Sequence, residues 1–259
     1  MKRNNKKINV LDYGFVELVD IMGDDYRILQ SARVSTGGSA SKGDEQDKNL
    51  IRYLYVNNHL SPFEQVVLTF HVKMPIFVAR QWMRHRTFSY NEYSLRYSEA
   101  INDIFTPTNF RIQGKTNHQG SGVEIDGEVN EIIKSSYKEA VDKSFSTYDY
   151  MLENGVAREM ARGVLPVSQY TEMYMTVNLR NLFHFLHLRL HEHSQYEIRV
   201  YAQAILDILN SIYGLKHTME IFNEVNEVQY TFIDALNKAR KQENGFKKLQ
   251  NYLKDFAEK

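Results

Sequence analysis

Cysteine is absent from the 259 residues. Disulfides, thiolate metal sites and thiol nucleophiles are therefore excluded from the start. Proline is nearly as scarce. Pro62, Pro75, Pro107 and Pro166 are the only four, and each falls at the edge of a periodic segment, where a helix breaker belongs. A charge excess is lacking too: Lys plus Arg and Asp plus Glu both number 32. Bulk charge thus predicts no attraction to nucleic acid or to an anionic membrane, and any anion site must come from local clustering. No apolar run approaches the roughly 20 residues of a membrane span. The basic start, residues 1–7, leads into residues 8–18, which Asp12, Gly14 and Glu17 interrupt. That is unlike an export-signal core, so the expectation is a cytoplasmic protein.

What is present is an ordinary globular balance, 42% hydrophobic and 25% charged. Short strands are expected at residues 8–11, at 65–72, where Val66, Leu68, Phe70 and Val72 alternate with polar neighbours, and at 171–177. Helices are expected at residues 24–34, 44–57, 128–154 (closed by Gly155), 179–190 and 196–213, with Pro75 opening another that runs to about Arg86. Residues 36–43 read as a Gly/Ser-rich loop and 110–127 as a polar, Gly-rich surface excursion. Residues 218–259 are charged and helical in pattern. Helices outnumber strands, so the expected class is α+β, mainly helical with a small antiparallel sheet. No Gly-rich dinucleotide fingerprint follows any strand.

Two segments concentrate the chemistry. Between positions 80 and 97 lie four arginines, His85, two serines, Asn91 and Glu92. On a helix ending near Arg86, Gln81 would sit one turn from Arg84 and His85, while Arg84 and Arg86 would point to different sides. The stretch from Ser89 to Arg96 reads as a loop whose amides and hydroxyls suit a phosphate, with Arg96 as clamp. Glu92 in so basic a setting suggests a partner for a ribose hydroxyl or for an arginine. The second segment is the helix at 179–190. Helical spacing puts Arg180, His184, His187 and His191 on one stripe and Leu179, Leu182, Phe183, Leu186 and Leu190 on an apolar face, with Arg189 roughly opposite the histidines. The stripe also permits a rival reading, a His-dependent metallohydrolase built on His184, His187 and His191.

The string Arg84-His85-Arg86-x-x-Ser89-x-Asn91-Glu92-x-Ser94-x-Arg96-Tyr97 resembles the signature of the flavin-dependent thymidylate synthases. Further matches are residues 10–16, residues 32–35, His59-x-Ser61-Pro62-Phe63-Glu64, Leu165-Pro166, residues 176–180 and His193-x-Gln195-x-Glu197-Ile198. Residues 1–215 would form the synthase domain and residues 216–259 a helical extension without an assigned role.

The resemblance implies an α+β homotetramer with shared active sites, FAD as cofactor, NADPH and methylene-tetrahydrofolate as co-substrates, and dUMP as the methyl acceptor. It implies flavin contacts from Ser61, Arg84, His85, Arg86, Glu92, Asn178, Leu179, Arg180 and His184, the last standing where some members carry Asn. It implies nucleotide contacts from Gln81, Trp82, Met83, Arg84, Glu92, Tyr93, Ser94, Leu95, Arg96, Arg162 and Arg189. Methylation at C5 of a uracil needs electron density there. With no cysteine to add to C6, polarisation of the ring by a guanidinium is the remaining route. Arg189 is the expected catalytic group, since arginine stays charged and presents planar paired donors.

Overall fold

The computed structural model describes residues 6–38, 41–114 and 120–240. Its centre is a five-stranded antiparallel sheet in the order β1-β2-β3-β7-β4, formed by β1 (Lys7–Val10), β2 (Gly14–Met22), β3 (Val67–Pro75), β4 (Ser89–Glu92) and β7 (Tyr170–Asn178). The register of β3 against β7 explains the two faces. Leu68, Phe70 and Val72 lie opposite Val177, Met175 and Met173, and all six are buried. The alternate positions pair polar groups: Thr69 with Thr176 through their hydroxyls at 3.0 Å, His71 stacked on Tyr174 at 4.6 Å, and Lys73 on Glu172 at 3.6 Å. Cross-strand pairs of this kind hold the register, because a slip of one residue would exchange the faces.

Among the described residues, eight α-helices surround the sheet's core. They are α1 (Asp25–Arg33), α2 (Asp44–Val56), α3 (Ile76–Trp82), α4 (Gly127–Glu153), α5 (Arg158–Ala161), α6 (Leu179–Arg189), α7 (Tyr196–Asn210) and α8 (Lys216–Arg240). Of these, α3, α6 and α7 pack directly on the strands. A buried ion pair, Arg33 to Asp47 at 2.7 Å, joins α1 to α2. Helix α6 follows β7 without a loop, because the Asn178 side chain accepts the Asn181 amide at 3.0 Å and caps the new helix. One close approach demands glycine. A Cβ on Gly14 would collide with the Tyr201 hydroxyl, which donates to the Lys73 carbonyl.

Four expectations are corrected. The strand at residues 8–11 is followed by a second, nine-residue strand, β2, in which Glu17 pairs in register with His71 and the register shifts between Leu18 and Asp20. The helix opened by Pro75 stops at Trp82, not Arg86. The Tyr90 hydroxyl, shared between the carbonyls of Trp82 and His85 at 3.1 and 2.9 Å, holds the chain in a turn instead. The stretch after Arg86 is not wholly a loop, because Ser89–Glu92 pair with β7, Ser89 opposite Thr176 and Glu92 opposite Met173. The polar excursion contains a hairpin of β5 (Arg111–Gln113) and β6 (Ser121–Glu124). The helix after residue 213 begins at Lys216; the expected helical pattern beyond residue 240 lies outside the described residues.

Candidate functional site

The site forms where the end of α3 meets the end of α6. Trp82 is fully buried and stacks on Phe185 at 4.7 Å, which fixes α3 against α6. Met83 follows as the helix cap. The turn then presents Arg84, His85 and Arg86 in succession, with opposite fates. Arg84 and Arg86 are exposed, and neither makes an ion pair or side-chain hydrogen bond within the described residues. His85 turns inward, 8% exposed, with its ring against Phe185 at 4.9 Å and near His184 at 6.1 Å.

Arg189 closes this arrangement from α6. Its Nε donates to His85 Nε2 at 3.0 Å and its Nη2 donates to the Gln81 carbonyl at 3.2 Å. An imidazole nitrogen that accepts must be unprotonated, so His85 carries its hydrogen on Nδ1. The electrostatics agree: burial first, then Arg189, then His184, pull His85 down to about 4. Burial and the neighbouring Arg84 also lower Arg189. Its ordinary value lies so far above neutrality that it stays charged. The result is a half-buried cation, aimed by a neutral histidine and carrying further N–H donors.

The other expected residues are distributed around this centre. Glu92 accepts from the Thr171 hydroxyl at 2.9 Å, and no arginine pairs with it among the described residues. Thr171 was not singled out from sequence; its place beside β4 on a neighbouring strand is the only signal. Ser94 accepts the Arg96 amide at 3.3 Å, so the two form a tight turn, while Leu95 between them is half-buried. The Arg96 guanidinium faces Glu159 at 3.5 Å. Tyr93 is exposed and donates to the Glu99 carbonyl at 2.9 Å. Arg162 and Ser61 are exposed, and neither touches the Arg189 centre. Leu179 is buried, whereas Arg180 pairs with Glu64. Arg180 and His184 line a groove of about 850 Å³ between α2, α6 and α8, together with Tyr55, Phe183 and Phe232. A groove of this size that sets Arg180 and His184 against aromatic walls has the chemistry to fit an anionic, ring-bearing cofactor.

The histidine stripe resolves differently from the metal reading. His187 stacks on Tyr230 at 5.7 Å and meets the Asn226 side chain at 3.3 Å, and His191 leans on both His193 and Tyr230. Among the described residues, no group of three or more His, Asp and Glu converges to hold a metal ion. Nor is any described helix long and apolar enough to cross a membrane.

Residues 17–213 match the family described as "Thymidylate synthase complementing protein". The flavin-dependent thymidylate synthase of Wolbachia pipientis wMel is 44% identical over 239 residues, covering 91% of this chain and 84% of that protein. An enzyme of the same name from Thermus thermophilus is 53% identical over 203 residues, 78% of this chain and 73% of the relative. Among solved structures, a UMP/dUMP methylase, PolB from Streptomyces cacaoi bound with 5-Br dUMP, superposes with a TM-score of 0.75 at 36% identity. It covers 84% of this chain and 97% of that one. Fold and site therefore define a flavin-using methyltransferase. More narrowly, the chain belongs to the flavin-dependent thymidylate synthase family. Neither the relatives nor the site supports a metallohydrolase.

Proposed function

We propose that this protein methylates dUMP at C5 to give dTMP, with methylene-tetrahydrofolate as carbon donor and NADPH as reductant of its FAD. It works as a homotetramer whose active sites are shared between subunits. The observation that carries the reading is the divided Arg84-His85-Arg86 turn: two arginines unpaired and outward, one neutral histidine inward and holding Arg189. Two free guanidiniums suit the paired phosphates of a flavin dinucleotide. Arg84, Arg86, Asn178, Arg180 and His184 would hold the flavin, which supplies the hydride that completes the methyl group. Arg96, beside Ser94, and Arg162 would take the phosphate of the nucleotide.

Arg189 performs the activation. Its Nε is engaged by His85 and one Nη by the Gln81 carbonyl, so the remaining N–H groups are directed rather than free to wander. Placed against N3 and a neighbouring carbonyl of the uracil, they stabilise the enolate-like anion and raise electron density at C5. Half-burial strengthens that interaction by excluding water.

The test is an absorption spectrum of protein incubated with FAD and desalted, recorded before and after adding dUMP, followed by assay for dTMP. Retained flavin bands that shift with dUMP, and dTMP formed by the wild type but lost by at least about a hundredfold in Arg189→Ala that still retains flavin, are expected. Failure to retain flavin, or full turnover by Arg189→Ala, overturns the reading.

A further inference from the structure

Gln81 has two ends tied. Its backbone carbonyl receives Arg189, and its side-chain Nε2 donates to Gln195 Oε1 at 2.5 Å. Gln195 Nε2 in turn donates to Glu197 Oε2 at 2.7 Å, and Arg111 of the β5–β6 hairpin donates to the other carboxylate oxygen at 2.5 Å. Glu197 is 3% exposed, sits in the first turn of α7 and borders an apolar cleft lined by Phe77, Phe105 and Val141. The helix start favours its charge, and the apolar surroundings strengthen each bond of the chain.

The order of atoms in this chain has a consequence. A carboxylate only accepts, so Glu197 forces Gln195 to present its amide nitrogen inward and its carbonyl oxygen toward Gln81. Gln81 must then offer its own nitrogen to Gln195. Its Oε1 is left without a protein partner among the described residues.

The geometry points to Gln195 and Glu197 as positioning residues that lock the Gln81 amide with its carbonyl oxygen turned toward the nucleotide, as an acceptor for a ring N–H or a sugar O–H. This rests on the dUMP reading above and deepens it. Arg111 anchors the far end of the relay, so the polar hairpin outside the sheet takes part in setting nucleotide affinity. Without the relay, the Gln81 amide rotates freely and presents either end.

A double-mutant cycle on the FAD-loaded protein tests this, with dUMP affinity measured by titration calorimetry and flavin retention and melting temperature recorded for each variant. Gln195→Met should raise the dUMP Kd about fivefold to tenfold in the wild-type background while flavin retention is unchanged. In a Gln81→Met background, the same substitution should change Kd by less than about twofold, because the group it orients is gone. Equal effects in both backgrounds, or no effect in either, overturn the relay. If the wild type itself fails to bind dUMP, the functional reading falls with it, so the two failures are distinguishable. Glu197→Gln provides a second reading from the other end: an amide there no longer dictates the orientation of Gln195, so Kd should rise in the same direction. An unchanged dUMP Kd in a folded Glu197→Gln variant also overturns the proposal.

Discussion

His85 serves this site by being uncharged. Its Nε2 lone pair holds Arg189, and a proton there would both abolish that bond and set a second cation against the guanidinium. The linkage has a definite sign. In the unfolded chain the ring protonates below about pH 6.5, its ordinary value, whereas in the fold it does so only near about 4. Between those limits acid favours the unfolded chain, so stability complete above pH 6.5 is lost as pH falls toward 4. Replacing His85 with Gln, which cannot titrate but can still accept, should flatten this dependence. The expected outcome is a melting temperature that drops several degrees less in His85→Gln than in wild type between about pH 7 and pH 4.5, at about 2–4 °C per kcal/mol for a domain of this size. Parallel curves would remove His85 as the titrating group. The triplet itself was legible in the sequence. Which member of the triplet turns inward was not, because that depends on where the preceding helix stops.

The helix stops where it does because of a strand whose partner lies far along the chain. Pairing Ser89–Glu92 with β7 brings Tyr90 back over the end of α3, where its hydroxyl takes the Trp82 and His85 carbonyls. Local sequence favoured a longer helix and a loop; β7, some eighty positions downstream, overrode it. Strand β2 was missed for a related reason. Glu17 faces His71 across the ladder at 3.9 Å and so looks from sequence like an interruption, when it is a partly exposed cross-strand partner. By contrast β3 and β7 alternate cleanly, and α6 carries its own cap at Asn178, so both were readable. Tyr90→Phe isolates the effect of β4 on the site. Losing the hydroxyl should cost about 1 kcal/mol of stability, a melting shift of roughly 2–4 °C. Turnover should fall roughly tenfold, because small displacements of an aligned group are costly to catalysis. A variant with the melting shift but unimpaired turnover would show that the turn does not position Arg189.

At the scale of the molecule, the segment after residue 213 lies beyond the stretch that matches the family model, and its charge-rich sequence reads as a helical extension without an assigned role. Its first half is part of the core instead. Met219, Ile221 and Phe222 are buried, Phe222 stacks on Phe183 at 4.4 Å, and the helix start is capped by Asp25, which accepts from the His217 amide at 2.8 Å and the Thr218 hydroxyl at 2.6 Å. Burial raises the Asp25 carboxyl despite those bonds. Charges on this helix face α2, where Lys48 meets Glu220 and Arg52 meets Glu224, each at 2.6 Å. Packing and charge predict very different costs here. Phe222→Ala should lose about 3–5 kcal/mol, since it empties a buried site behind Phe183 and Tyr55, which line the groove that carries Arg180 and His184. Glu220→Gln removes only a partly exposed ion pair and should cost under about 1 kcal/mol. Chemical denaturation of the two variants separates the readings. A large loss for Phe222→Ala with little for Glu220→Gln makes α8 part of the core behind the groove, and with the flavin in that groove, as proposed, Phe222→Ala should also retain less FAD after desalting. Two equally small losses, with FAD retention unchanged, would make α8 an accessory lying on a core that is complete without it.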